Sequence, residues 1–284
     1  MKMIKIVECP RDAMQGWPNF IPTAQKINYL KNLLQAGFDT LDFGSFVSAK
    51  AIPQLADTKE VLMALESVET KTKLLAIVAN LRGAEDAMLF DKINVIGYPF
   101  SISETFQLRN TNATVATSLD TVKDIQELCL KNNKTLLVYL SMAFGNPYGD
   151  PFNASIVLDW LRQLTQLEIQ EFAIADTVGI ASPEEIHTVL SSVVANFPTV
   201  DIGVHLHSTS AGTIEKLDAA LNAGCKKFDG AIKGIGGCPM SGSELIGNID
   251  TEVMVKHFIK KGFYNGIDTN QLANCSSIAA EIFV

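Results

Sequence analysis

Residues 171–207 read EFAIADTVGIASPEEIHTVLSSVVANFPTVDIGVHLH, and this stretch decides the fold. Glu171–Ala175 is a short apolar run of strand type. Pro183–Ala195 follows with helical pattern, and Ile202–His207 is a second strand-sized run. Apolar runs bounded by turns, with a helix between them, belong to a parallel sheet covered on both faces. The same unit recurs in both directions along the chain.

Upstream, strands are expected at Ile4–Glu8, Thr40–Phe43, Leu74–Ala79, Ile93–Gly97 and Leu136–Met142. Helices are expected at Thr23–Gln35, Asp57–Glu66, Gly83–Leu89, around Leu119–Lys131, and near Ser155–Gln166. In the first of these, Ile27, Leu30, Leu33 and Leu34 share one face, Thr23 is the expected N-cap and Gly37 the stop. Asp57 is the expected cap of the second. Downstream come a helix Thr213–Ala223, an eighth strand Lys227–Ile232, and a helical pair at Thr251–Lys261 and Thr269–Ile282. Eight strand-helix repeats in 284 residues fit a single (β/α)8 TIM barrel of α/β class with an extra C-terminal helical segment. An open doubly wound sheet is disfavoured, because no G-x-G-x-x-G follows the first strand. No Pro/Ser-rich linker divides the chain, so residues 1–284 are read as one catalytic domain.

Composition excludes several partners. With 23 Lys+Arg against 31 Asp+Glu the formal charge is −8, the wrong sign for nucleic acid or an anionic membrane surface. At 47% apolar the chain can bury a sizeable core and is not disordered. Met1–Glu8 is too short and too charged for a secretory core, and no run reaches a membrane span. The five cysteines, Cys9, Cys129, Cys225, Cys238 and Cys275, are scattered and form no CxxC pair. That pattern suits a reducing cytoplasm better than a disulfide framework or a zinc site.

In a barrel of this kind chemistry sits at the C-terminal ends of the strands. Those ends are polar here: Glu8-Cys9-Pro10-Arg11-Asp12, Asp42, Asp176-Thr177, His205-Leu206-His207, and Gly234-Ile235-Gly236-Gly237-Cys238 with Asn248 ten residues on. Alternation along a strand puts His205 and His207 on one face, about 6.5 Å apart along the chain. Two imidazoles at that spacing can reach one ion, with Asp12 as the natural carboxylate, or they can be two satisfied core histidines. Nitrogen and oxygen ligands without thiolate favour Mg or Mn over Zn. Arg11 can polarise a carbonyl or clamp a carboxylate, or lie in a surface salt bridge. Cys238 sits in a glycine-rich loop that can swing a thiol over the barrel mouth, or is a small inert residue. Asp42 and Asp176 are either partners that orient ligands or polar residues of the barrel without a role. Cys129 and Cys225 read as structural, and His187 and His257 lie away from the rim.

In order, Ile6–Gln15, Ser45–Lys50, Pro53–Asp57, Gly145-Asn146-Pro147-Tyr148, Asp176–Gly179, Val204–His207, Gly236–Pro239 and Gly247-Asn248 resemble the 3-hydroxy-3-methylglutaryl-CoA lyase branch of the metal-dependent lyase and Claisen-condensing barrels. The likeness runs along nearly the whole chain. It implies a divalent cation held by Asp12, His205, His207 and Asn248, a catalytic Arg11 that stabilises an enolate, and Cys238 as the acid that protonates it. It places Asp42 and Asp176 among the catalytic residues, an acyl-CoA as the small-molecule substrate, and a homo-oligomer as the assembly. Departures from the family pattern are Ala13 and Met14, Asp42 where glutamate is common, Ser208 where an acidic residue is usual, and Trp17-Pro18-Asn19. A loop between Cys238 and Asn248 one residue longer than usual joins them. They keep open a related aldolase or condensing enzyme acting on another 3-hydroxy acid or its thioester; a non-catalytic binding barrel would have lost a ligand or the acid, and Asp12, His205, His207, Asn248 and Cys238 are all present. No residue is assigned to CoA; Lys50 is a candidate or a solvated lysine.

Overall fold

The computed structural model describes residues 3–237 and 246–284. Eight parallel strands close into a barrel in chain order. They are β1 (Lys5–Glu8), β2 (Thr40–Ser45), β3 (Lys73–Ile77), β4 (Ile93–Ser101), β5 (Thr135–Ser141), β6 (Glu171–Asp176), β7 (Asp201–Leu206) and β8 (Lys227–Gly230). Closure is made by β1 on β8, where Lys5 to Glu8 run in register with Lys227 to Gly230. The outer helices are α1 (Pro10–Gln15), α2 (Thr23–Leu33), α3 (Thr58–Leu65), α4 (Leu81–Met88), α5 (Glu104–Thr111) and α6 (Val115–Lys131). They continue with α7 (Ala154–Thr165), α8 (Pro183–Asn196), α9 (Thr213–Asn222), α10 (Thr251–Lys260) and α11 (Thr269–Ile282). The (β/α)8 architecture with extra C-terminal helices is therefore the one expected.

Two elements were not anticipated. Arg11 and Asp12 lie on the short helix α1, started by Pro10, whose missing N–H costs nothing in a first turn. The second is α5, which follows a β4 four residues longer than expected, with Ser103 as its cap accepting from Phe106 N. Two cap assignments are corrected. Thr23 is the first residue of α2 rather than its cap, and Asp57 stands at the N-terminus of α3 without capping it. The reason is a competing charge. Lys26, almost fully buried, takes both Asp57 oxygens at 2.8 and 3.0 Å, and Thr23 Oγ1 donates to the same carboxylate. Gly37 has φ +90 but lies beyond the helix end, where a Cβ would meet Gly266 O at 2.4 Å.

The alternation of the strands separates two apolar regions. Residues such as Leu74, Ala76, Val138, Ile174, Val204 and Leu206 face outward into the large core beneath the helices. Their neighbours Leu75, Ile77, Val95, Leu137, Tyr139 and Ala173 form a smaller cluster inside the barrel. Gly97 leaves room there: a Cβ would meet Ile77 Cδ1 at 2.5 Å. Gly203, His205 and His207 are out of phase with Val204 and Leu206, so both histidines point inward at the C-terminal end. At the opposite end the buried Lys227 pairs with Glu171 at 2.9 Å. Among the described residues no helix is long and apolar enough to cross a membrane.

Candidate metal centre

Two imidazoles and a carboxylate converge at the rim. His205 Nε2 and His207 Nε2 are 3.2 Å apart, and with an Asp12 oxygen they form a buried cluster whose ligand atoms lie within 4.8 Å of one another. The outer nitrogens fix the tautomers. His205 Nδ1 faces Asp229 Oδ2 at 3.1 Å, and His207 Nδ1 faces the Ile246 carbonyl at 3.1 Å. Both partners are acceptors, so in the neutral rings each Nδ1 carries the proton and each Nε2 is left to ligate. Two such nitrogens at this distance suit a shared cation.

A third observation points the same way. Asn248 Nδ2 donates to Asp12 Oδ2 at 2.7 Å and to Ile235 O at 2.9 Å, while its buried Oδ1 has no hydrogen-bond partner among the described residues. A buried amide oxygen left unpaired is costly, so it calls for a further partner, a role a bound cation would fill. Backbone pairing with His207 fixes Asn248 beside β7. At Gly236 (φ +106) a Cβ would lie 2.6 Å from Asn248 Nδ2, so the amide needs a glycine opposite it. Two imidazole nitrogens, a carboxylate and an amide oxygen are a mixed donor set for a divalent cation, with Mg or Mn preferred by the oxygens.

Charge is distributed to suit this. Burial would raise the Asp12 carboxyl, but Arg11, His205, His207 and the Asn248 hydrogen bond hold it at about 2. Asp12 is thus an anion at any neutral pH. His207 is pushed down to about 4 by burial and by its neighbour His205, keeping it neutral. Burial lowers His205 too, but the Asp229 hydrogen bond and charge outweigh it and raise it overall. Cys9 also lies close to His205 and Asp229. Burial, reinforced by Asp229 and Asp42, pushes its thiol well above the ordinary value, so it remains protonated.

Arg11 is held on three sides. Its Nε and Nη2 donate to Asp42, the latter at 2.6 Å, and Nη1 donates to Asp12 Oδ1 at 3.2 Å and to Gln15 Oε1 at 2.8 Å. Gln15 Nε2 then returns to Asp12 Oδ1 at 3.0 Å, closing a ring of three side chains on α1. Asp42 is completely enclosed. Burial raises its carboxyl to about 6 even against the Arg11 charge. The Tyr139 ring meets His205 edge-on at 5.7 Å between centroids, and its buried hydroxyl has no partner among the described residues.

The HMGL-like family model matches residues 4–278. The chain belongs to that family. Among HMGL-like relatives, hydroxymethylglutaryl-CoA lyase YngG of Bacillus subtilis is 35% identical over 246 residues, 87% of this chain and 81% of the relative. A crystal structure of the HMG-CoA lyase from Brucella melitensis superposes with a TM-score of 0.92 at 28% identity, covering 100% of this chain and 99% of that one. An HMG-CoA lyase from Acinetobacter baumannii, solved with coenzyme A and 3-methylmalate, gives a TM-score of 0.91 at 28% identity over 99% and 91% of the two chains.

The fold of this HMGL-like chain brings together Arg11, Asp12, Asp42, His205, His207 and Asn248. Asp176 stands apart from that group, its carboxylate taken by Lys216 at 2.7 Å and by the Ala181 N–H. Burial raises its carboxyl in spite of Lys216. Cys238 lies outside the described residues. Lys50 is exposed. Sequence reading missed Asp229, Gln15 and Lys216. Asp229 carried a usable signal, since a carboxylate two residues after Lys227 on a strand shares its inward face. Lys216 carried none, being one lysine on an amphipathic helix.

Proposed function

We propose that this chain is a divalent-metal-dependent carbon–carbon lyase that cleaves 3-hydroxy-3-methylglutaryl-CoA to acetyl-CoA and acetoacetate by a retro-Claisen reaction. The carrying observation is the buried cluster of Asp12, His205 and His207, with the two Nε2 atoms facing each other, an Asn248 Oδ1 that has no partner among the described residues, and a fixed guanidinium beside them. A divalent cation bound there supplies positive charge to the hydroxyl and carboxylate oxygens of a 3-hydroxy acid.

The chain's own residues divide the remaining work. The tertiary hydroxyl gives up its proton to solvent, the bond between C2 and C3 breaks, C3 becomes the ketone of acetoacetate, and the electron pair passes to C2 and the thioester oxygen as an enolate. Arg11, whose charge Asp42 and Asp12 stabilise against burial, provides a permanent cation for that oxygen. Asp42 fixes the guanidinium rather than moving a proton. Cys238, assigned through the family resemblance, is the acid that returns a proton to C2.

The reading includes an acyl-CoA as substrate, as the coenzyme A in the Acinetobacter relative supports. It also includes a single domain over residues 1–284, a cytoplasmic setting in keeping with the four cysteines of the described residues, all free and buried, and self-association. The test is release of acetyl-CoA and acetoacetate from 3-hydroxy-3-methylglutaryl-CoA with added Mg or Mn. Wild type should turn over only with metal, and His207→Ala and Cys238→Ala should not. Tight metal binding without release would overturn the substrate assignment. Asp42 and Ser208 would then direct the search to other 3-hydroxyacyl thioesters.

A further inference from the structure

Lys216 occupies a position that ordinary helix physics disfavours. It lies in the first turn of α9, at the positive end of the helix dipole, and is only 6% exposed. A buried ammonium there requires strong partners, and all three of its donors find one. Nζ donates to Asp176 Oδ2 at 2.7 Å, to the His207 carbonyl at 2.8 Å and to the Gly179 carbonyl at 3.0 Å. One side chain thereby ties α9 to the end of β6, to the loop after β6, and to the peptide of a candidate metal ligand.

We propose that Lys216 is a positioning residue of the metal centre, acting through the His207 backbone. His207 has three restraints. Its carbonyl is held by Lys216, its Nδ1–H by Ile246 O, and its backbone is bridged to Asn248. Carbonyl, ring nitrogen and backbone are thus each held by a different group, and together they set where Nε2 points. Gly179, which also accepts from Lys216, lies so close to Ile246 that a Cβ would meet Ile246 Cγ2 at 2.8 Å. The lysine therefore braces both the histidine and the segment that receives its Nδ1 proton. Asp176 serves as the counter-charge that lets the ammonium stay buried, which is a positioning role and not a catalytic one. The inference rests on the metal reading above.

The experiment compares the full-length wild type, Lys216→Met and the double variant Lys216→Met/Asp176→Leu for Mn affinity by calorimetry and for melting temperature. Lys216→Met should bind Mn about 10–100-fold more weakly, the usual cost of losing a partner that orients a ligand, and should melt lower. The double variant removes the stranded carboxylate, so its melting temperature should recover while Mn affinity stays weak. Recovery of both together would reduce Lys216 to a structural cross-link and overturn the proposal, as would unchanged affinity in a folded Lys216→Met. Should that variant not fold, the double variant alone decides between these outcomes. A wild type that binds no Mn would instead bring down the metal reading itself.

Discussion

His205 and His207 present Nε2 to Nε2 at 3.2 Å because acceptors on opposite sides, Asp229 and the Ile246 carbonyl, hold their Nδ1 protons. In the neutral rings both Nε2 atoms are free to ligate one cation; in its absence a proton on His205 Nε2 would bridge to His207. Calorimetric titration of the metal-free protein with Mn should therefore show one tight site. His207→Ala should lose more than the roughly 10–100-fold that removal of an outer partner costs. Near-wild-type affinity in that variant would remove His207 from the ligand set.

Asp229 separates orientation from charge. Asp229→Asn keeps an oxygen for His205 Nδ1–H and should weaken Mn binding only mildly. Asp229→Ala frees the ring to rotate or change tautomer and should cost about 10–100-fold. Equal losses in the two variants would show that the carboxylate acts through its charge alone.

Much of this was readable from the sequence, for reasons that differ from residue to residue. Strand alternation placed His205 and His207 together, and the polar strand ends marked the rim. What sequence could not show were partners chosen in three dimensions. Asp57 looks like a helix cap, yet the buried ammonium of Lys26 outcompetes the N–H groups of α3 for its oxygens. Asp176 looks like a rim acid, yet Lys216, 40 residues on, neutralises it. Arg11 and Asp12 were expected on the run-out of a strand; they stand on α1, where Gln15 one turn later locks the pair.

The Lys26–Asp57 pair carries its own consequence. Lys26 is 1% exposed, burial lowers its pKa against the pull of Asp57, and it also donates to the Gln54 carbonyl. Asp57→Ala would leave the ammonium buried and without its counter-charge. Such losses cost about 3–5 kcal/mol, far above the roughly 1 kcal/mol of a lost helix cap. Urea unfolding should show the larger figure; a loss near 1 kcal/mol would restore the capping role.

Glu8 governs the pH response of stability. It is wholly buried, accepts from Ile232 N at 2.9 Å, and bonds the Thr251 hydroxyl at 2.6 Å, pinning β1 to the segments that flank Asn248. Burial raises its carboxyl from 4.5 to about 8, outweighing both hydrogen bonds. The folded chain thus keeps a proton that the unfolded chain gives up. This group's contribution to stability is full below about pH 4.5, declines as pH rises towards 8, and levels off above it. Glu8→Gln mimics the protonated acid, its oxygen accepting from Ile232 and its amide donating to Thr251. The variant's advantage over wild type should widen by up to about 1.4 kcal/mol per pH unit between pH 5 and 8. Denaturant melts at pH 5, 6.5 and 8 measure that gap directly, and a gap that is constant or shrinks with pH would mean that Glu8 is ionised in the folded protein.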